Sequence, residues 1–223
     1  MSEKPPIGAM IIPVTEFAQN CTLLWASATM EGVFVDPGGE ADKLIEAAKT
    51  RGVKIVEIWL THGHLDHAGG AMEVARKLGV PIIGPHEDDK FLLDEIEQSW
   101  AKYGMPQGEN CTPTRWLNDG DVLNLSGIKF EIVHCPGHTP GHVAIINSDL
   151  KIAFVGDLLF QNSIGRTDFP HGNHQDLINS ITKKLWPFGA DIQFIPGHGA
   201  MSTFGIERAQ NPFVGDRVLG IGN

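Results

Sequence analysis

A chain of 223 residues with 42% apolar content can bury a full core, and a single domain over residues 1–223 is the expectation. Its formal net charge of −10, with acids and bases interspersed and no Lys/Arg run, argues against nucleic acid as a partner. There is no apolar run of about 18 residues, and Met1-Ser2-Glu3-Lys4-Pro5-Pro6 lacks the flank and apolar core of a signal sequence, so no membrane partner and a mature cytoplasmic protein are expected.

Residues 10–14, 22–25 and 33–35 read as short strands, the last running into the turn Asp36-Pro37-Gly38-Gly39. Ala41, Leu44, Ile45 and Ala48 repeat at helical spacing and predict an amphipathic helix that stops near Gly52. The apolar run 55–60 predicts a buried strand. A helix with Ala71, Val74, Ala75 and Leu78 on one face follows, then a strand near 80–83. A longer helix over about 87–103 places Leu93, Ile96, Trp100 and Tyr103 on one side as core. Thereafter 122–125, 128–133, 143–147 and 152–155 predict strands joined by turns. A helix through Leu177, Ile178, Ile181 and Leu185 ends at Pro187, and 192–195 is a last strand. Two sheets, one from each half, with helices on their outer faces would accommodate this order. Cys21, Cys111 and Cys135 stand far apart with no Cys-x-x-Cys spacing, which suits buried thiols better than disulfides or a thiolate zinc site.

Chemistry concentrates after the strand at 55–60. Thr61-His62-Gly63-His64-Leu65-Asp66-His67 places three histidines and an aspartate within six residues. Imidazole and carboxylate are the donors that zinc, manganese and iron accept, and four from one loop exceed what one open site usually takes. Two neighbouring metals are therefore expected, with His62 and His64 facing one point while Asp66 and His67 turn to another. The other donors also lie where strands run out into turns: His138 within His134-Cys135-Pro136-Gly137-His138-Thr139-Pro140-Gly141-His142, Asp157 after Gly156, and His198 within Pro196-Gly197-His198-Gly199. His134 and His142 are read as structural, and His86, His171 and His174 as surface or pocket-rim residues. Asp36 is either a turn residue or, with Thr61, an orienter of metal-bound imidazoles.

The His-x-His-x-Asp-His motif followed in order by His138, Asp157 and His198 resembles the metallo-β-lactamase-fold hydrolases across essentially the whole chain. That resemblance implies a four-layer αββα sandwich with the site at one edge. His62, His64 and His138 would hold the first metal, Asp66, His67 and His198 the second, and Asp157 would bridge. The metals implied are two divalent ions, zinc first, with iron or manganese acceptable. In the main class of true β-lactamases a cysteine stands where this chain has Asp157, which argues against antibiotic hydrolysis.

Within the superfamily, residues 35–38, 61–70, 136–142, 156–157 and 196–199 look like the short bacterial glyoxalase II type, whose substrates are S-D-lactoylglutathione and other 2-hydroxyacylglutathione thioesters. Asp66 would then be catalytic, orienting the attacking hydroxide toward the thioester carbonyl. Only 25 residues follow His198, so the C-terminal helical glutathione-binding domain of the long enzymes is not expected, and Ile164 to Phe169 differs from their glutathione-contact stretch. Arg166 is the substrate-binding candidate, through a bidentate pair with a carboxylate; a salt bridge to Asp168 is its alternative. Three other readings stand beside this one. Persulfide dioxygenases share the fold and the stretch from Gly165 to Phe169 but use one iron on His62, His138 and Asp157. A lactonase would change only the pocket, and a non-catalytic metal protein would leave no open coordination position.

Overall fold

The computed structural model describes residues 5–104 and 108–220. Its first half builds a five-stranded sheet in the order β1 (Ile7–Val14), β2 (Gln19–Ala26), β3 (Glu31–Val35), β4 (Lys54–Trp59) and β5 (Ile82–Ile83). The first three strands are antiparallel, whereas β3, β4 and β5 run parallel. Parallel neighbours need a crossover, and helices supply it. Helix α1 (Ala41–Arg51) joins β3 to β4; α2 (Leu65–Ala68) and α3 (Ala71–Leu78) join β4 to β5. Helix α1 ends as its sequence indicates: Gly52 takes the left-handed conformation and its N–H bonds the carbonyls of Ala48 and Lys49.

The expected helix over 87–103 is instead a 3₁₀ turn, Glu87–Asp89, followed by α4 (Lys90–Leu93) and α5 (Ile96–Lys102). Glu95 N–H bonds the carbonyl of Leu92, three residues back, and this tightening turns both Leu93 and Ile96 into the core. Tyr103 falls just past the end of α5 and is 57% exposed, so it is not core.

The second half forms a six-stranded sheet in which β6 (Val122–Leu125), β7 (Ile128–His134), β8 (Val143–Asn147) and β9 (Ile152–Gly156) make the expected antiparallel meander. A two-stranded hairpin, β10 (Leu159–Phe160) and β11 (Ser163–Ile164), stands apart from it. Helix α6 (His174–Asn179) continues through a wider π turn, Ser180–Leu185, and a 3₁₀ turn at Trp186–Phe188 where Pro187 stops it. Strand β12 (Gln193–Pro196) then returns parallel to β9, and β13 (Ser202–Thr203) closes the edge before α7 (Phe204–Gln210). Neither the hairpin nor the last two elements was expected.

Three apolar layers hold these parts. Leu24, Val33, Val35 and Trp59 of the first sheet meet Phe130, Ile132, Ile145 and Phe154 of the second. The outer face of the first sheet packs Phe34 and Ile58 against Leu44, Val74 and Trp100 of its helices. On the far side Ala144, Ile146, Val155 and Phe194 pack against Leu177, Ile181 and Phe204. The order is αββα, and strands β2 and β8, covered on both faces, are buried almost throughout.

Candidate metal centre

All seven expected donors gather at one edge of the sandwich, each just beyond the C-terminal end of a strand: β4 for His62 to His67, β7 for His138, β9 for Asp157 and β12 for His198. His64 Nδ1 lies 3.1 Å from His62 Nε2 and 2.9 Å from His138 Nε2. A second group, Asp66, His67 and His198, has its donor atoms within 4.8 Å of one another, with Asp66 Oδ2 3.1 Å from His198 Nε2. Asp157 sits between the groups. Its Oδ1 is 3.3 Å from His67 Nε2, and its Oδ2 is 3.6 Å from His138 Nε2 and 3.7 Å from His198 Nε2. Glycine is required beside it, because a Cβ at Gly197 would strike Asp157 Oδ1 and the His67 ring. At Gly156 the backbone has φ +46°, and a Cβ there would meet Thr61 Oγ1 and His142 Nε2.

The outward nitrogens show which lone pairs face in. His138 Nδ1–H donates to the carbonyl of Arg166 at 2.7 Å, His198 Nδ1–H to that of Phe17 at 3.2 Å, and His67 Nδ1–H to Asp36 Oδ2 at 2.9 Å. His62 Nδ1–H reaches Thr61 Oγ1 at 3.1 Å, and that hydroxyl in turn donates to Asp36 Oδ2 at 2.6 Å. Each of these four rings thus points its Nε2 inward, with an acceptor fixing the other nitrogen, as metal-bound imidazoles do. Asp36 also accepts Thr61 N–H at 2.7 Å, so its place is beneath the cluster and not only in the turn.

Electrostatics separates the two groups. Burial, reinforced by neighbouring histidines, keeps His62 well below the usual imidazole range and brings His64 down to about 3; burial also lowers His138. These three are neutral, the form that binds a cation. Burial acts the same way on His67 and His198, but the carboxylates of Asp66 and Asp157 outweigh it and raise both. Asp157 is held far below the ordinary carboxylate range, burial being overcome by His67 first and then by His138 and His198. Carboxylates at this point therefore demand a positive charge. His67 Nε2 and Asp157 Oδ1 are buried without a hydrogen-bond partner. Converging imidazole lone pairs, an unsatisfied carboxylate oxygen and a carboxylate shared between two groups fit a binuclear cation site.

The other histidines divide. His142 is buried, stacks flat on His62 at 4.6 Å and accepts the N–H of Asp157 at 3.1 Å, a supporting position outside the donor groups. His134 stacks on His86 away from the cluster, His171 packs edge-on against Phe91, and His174 is exposed at the start of α6. Above the donors lies a cavity of about 560 Å³ whose walls include Phe17, Tyr103, Phe160, Ile164 and Phe169. Arg166 lines it too, but Asp168 takes its guanidinium at 2.9 and 2.7 Å, and the group lies 4.6 Å over the Phe169 ring. The expected salt-bridge alternative is thus present.

Asp89 was not singled out by the sequence. It is fully buried and accepts Gly63 N–H at 2.8 Å, Thr139 Oγ1–H at 2.7 Å and Gly141 N–H at 2.6 Å, tying the two histidine loops together. Its position inside the acidic run Glu87-Asp88-Asp89 hid it.

An αββα sandwich with His/Asp donors for two cations at one edge defines a class of metal-dependent proteins. The metallo-β-lactamase superfamily matches residues 14–198, and the chain belongs to it. Hydroxyacylglutathione hydrolase GloC of Haemophilus influenzae is 46% identical over 208 residues, covering 93% of this chain and 98% of that protein. Among solved structures, the BLEG-1 B3 metallo-β-lactamase superposes with a TM-score of 0.86 at 32% identity, covering 93% of this chain and 99% of its own. TTHA1623 in a di-iron-bound form gives a TM-score of 0.83 at 32% identity, with coverage of 92% and 99%.

Proposed function

We propose that this protein is a binuclear metal-dependent thioester hydrolase that cleaves S-D-lactoylglutathione and related 2-hydroxyacylglutathiones to the hydroxy acid and glutathione. The observation that carries the reading is Asp157, whose carboxylate reaches both donor groups beneath an open cavity, Oδ1 lying beside His67 and Oδ2 between His138 and His198. The similarity to GloC, which covers nearly all of both chains, supports the choice of thioester. Zinc is our assignment for the metal, on the strength of the imidazole-rich donor set. A reducing, cytoplasmic setting accords with three free, buried cysteines.

When bound, two divalent ions acidify water and polarise a carbonyl oxygen. The chain's own residues do the rest. His67 and His198 both contact Asp66 Oδ2, so we assign Asp66 Oδ1 to the attacking water, whose hydrogen bond it accepts and whose line of approach it sets. Phe17, Phe160, Ile164 and Phe169 exclude solvent from one side of the thioester. The leaving thiolate, with a thiol pKa of about 8.5, departs without a strong general acid, which accounts for a site with no dedicated one. Arg166, at the cavity wall, is assigned to a substrate carboxylate, which would exchange for Asp168.

Kinetics on a thioester panel, with metal analysis of the same sample, tests the proposal. Two metals per chain and turnover of lactoylglutathione are expected. One iron with oxygen uptake on glutathione persulfide would overturn it, as would turnover of lactones alone. In the same assay Asp157→Ala is expected to lose metal and activity together, and full activity with both metals retained would remove Asp157 from the bridging position.

A further inference from the structure

Behind the loop that carries His138, and outside the cavity lining, three further donors converge. His86, Asp88 and His134 each offer one ligand atom, all within 4.8 Å of one another. The His86 and His134 rings stack at 4.2 Å with 13° between their planes. His86 Nδ1 lies 3.3 Å from Asp88 Oδ2 and accepts the Asp88 N–H at 3.2 Å, a hydrogen bond that a cation taking this lone pair would displace. His134 Nε2–H donates to the carbonyl of Pro140 at 2.8 Å, leaving the lone pair on Nδ1. A backbone carbonyl on the far N–H is the support that metal-bound imidazoles use.

The protonation state suits a cation. Burial, with His86 and Lys184 nearby, lowers His134 against the opposing pull of its bond to Pro140, so the ring is neutral at pH 7. Lys184, a positive charge that bears on His134, is engaged, donating to the His134 carbonyl at 2.6 Å and lying 3.8 Å from Asp119. Ligands held at zinc bond lengths of about 2.0–2.1 Å stand roughly 3.3–3.4 Å apart in a tetrahedron; here no pair exceeds 4.8 Å, so the widest must close by up to about 1.5 Å. Asp88 is exposed on a 3₁₀ turn and free to rotate inward.

We propose that His86, Asp88 and His134 form a further binding site for a first-row divalent cation of the zinc type, distinct from the binuclear centre. Two imidazoles and one carboxylate leave the remaining coordination positions to water. The site adjoins the frame of the main centre. His86 N–H bonds the Gly141 carbonyl at 3.1 Å, His134 holds Pro140, and the next residue, Asp89, ties Gly63 to Thr139 and Gly141. A cation that closes the three donors therefore braces the back of the His138 loop.

Zinc titration of protein already loaded with its resident metals tests this, with bound zinc counted by elemental analysis after equilibrium dialysis. One equivalent above the resident metals is expected for the unaltered chain. His86→Ala and, separately, Asp88→Asn should lose that equivalent while retaining the resident metals and the unsupplemented activity, which also reports that each variant has folded. No uptake beyond the resident metals overturns the proposal, and so does retention of the extra equivalent in either variant. Because the resident metals are counted first, the result stands whether the main centre proves to hold two ions or one.

Discussion

Asp36 shows how much one carboxylate can organise. It is buried at φ +52°, a conformation Asp and Asn tolerate better than most residues, and it accepts Thr61 N–H, Thr61 Oγ1–H and His67 Nδ1–H. Removing such an orienter typically weakens metal binding by about 10–100-fold. Asp36→Asn is therefore expected to weaken one metal by that factor in chelator competition, and unchanged affinity would reduce Asp36 to a turn residue. Asp89 makes a different prediction. Burial pushes its carboxyl up to about 6 even though Thr139, Gly63 and Gly141 all bond it. A folded-state pKa above the unfolded value means that the folded protein binds the extra proton, so this contribution is fully present below about pH 4 and is lost as pH rises through about 6. The stability of the unaltered protein minus that of Asp89→Asn should accordingly rise by about 2 kcal/mol between pH 7 and pH 4. Metal ligands are common to both proteins and cancel in the difference. Urea unfolding at several pH values measures it, and a flat difference would show that Asp89 does not titrate in this range.

The elements differ in how plainly the sequence announces them. Helices α1 and α3 show because apolar residues repeat on one face and a glycine closes each C-terminus. The hairpin β10–β11 and the edge strand β13 have two residues apiece, too short for any period to register, and their positions are set by contacts distant in sequence. Glu207 of α7 supplies several of these. It is fully buried, and it accepts Asn162 N–H at 2.8 Å in the hairpin turn, Ser202 Oγ–H at 2.5 Å and Asn211 Nδ2–H at 2.9 Å. The turn that places Phe160, Ser163 and Ile164 at the cavity is thus held by the C-terminal helix. Glu207→Ala leaves buried donors unpaired, each costing about 1–3 kcal/mol. A fall in stability of about 3 kcal/mol is expected, together with a raised KM for the proposed thioester substrate as the cavity wall loosens. Lost stability with an unaltered KM would mean that the hairpin keeps its place without α7.

At the scale of the whole molecule, the donor list was legible because each candidate ligand follows a strand and the His-x-His-x-Asp-His motif is dense; the cavity walls were not, because Phe17, Phe160 and Phe169 come from three segments distant in sequence, two of them loops and one the short strand β10. The donors also come from both sheets. His62, His64, Asp66 and His67 follow β4 of the first, whereas His138, Asp157 and His198 follow β7, β9 and β12 of the second. Metal held by these donors would therefore clamp the two sheets at one edge, and any ligand that binds only the folded state stabilises it, by about 4 kcal/mol at a thousandfold excess over Kd. Chelation should lower the unfolding temperature, and acid should remove the metals in a definite order. His62, His64 and His138 lie below the usual imidazole range, so protons compete weakly for them near neutral pH. His67 and His198 are raised by Asp66 and Asp157, so protons compete for them sooner as pH falls. The metal at Asp66, His67 and His198 is expected to leave first, giving a plateau at one metal per chain before the second is lost. Elemental analysis after dialysis at descending pH reads this directly, and a single-step loss of both metals would show that Asp157 couples the two positions too tightly for their histidines to act separately.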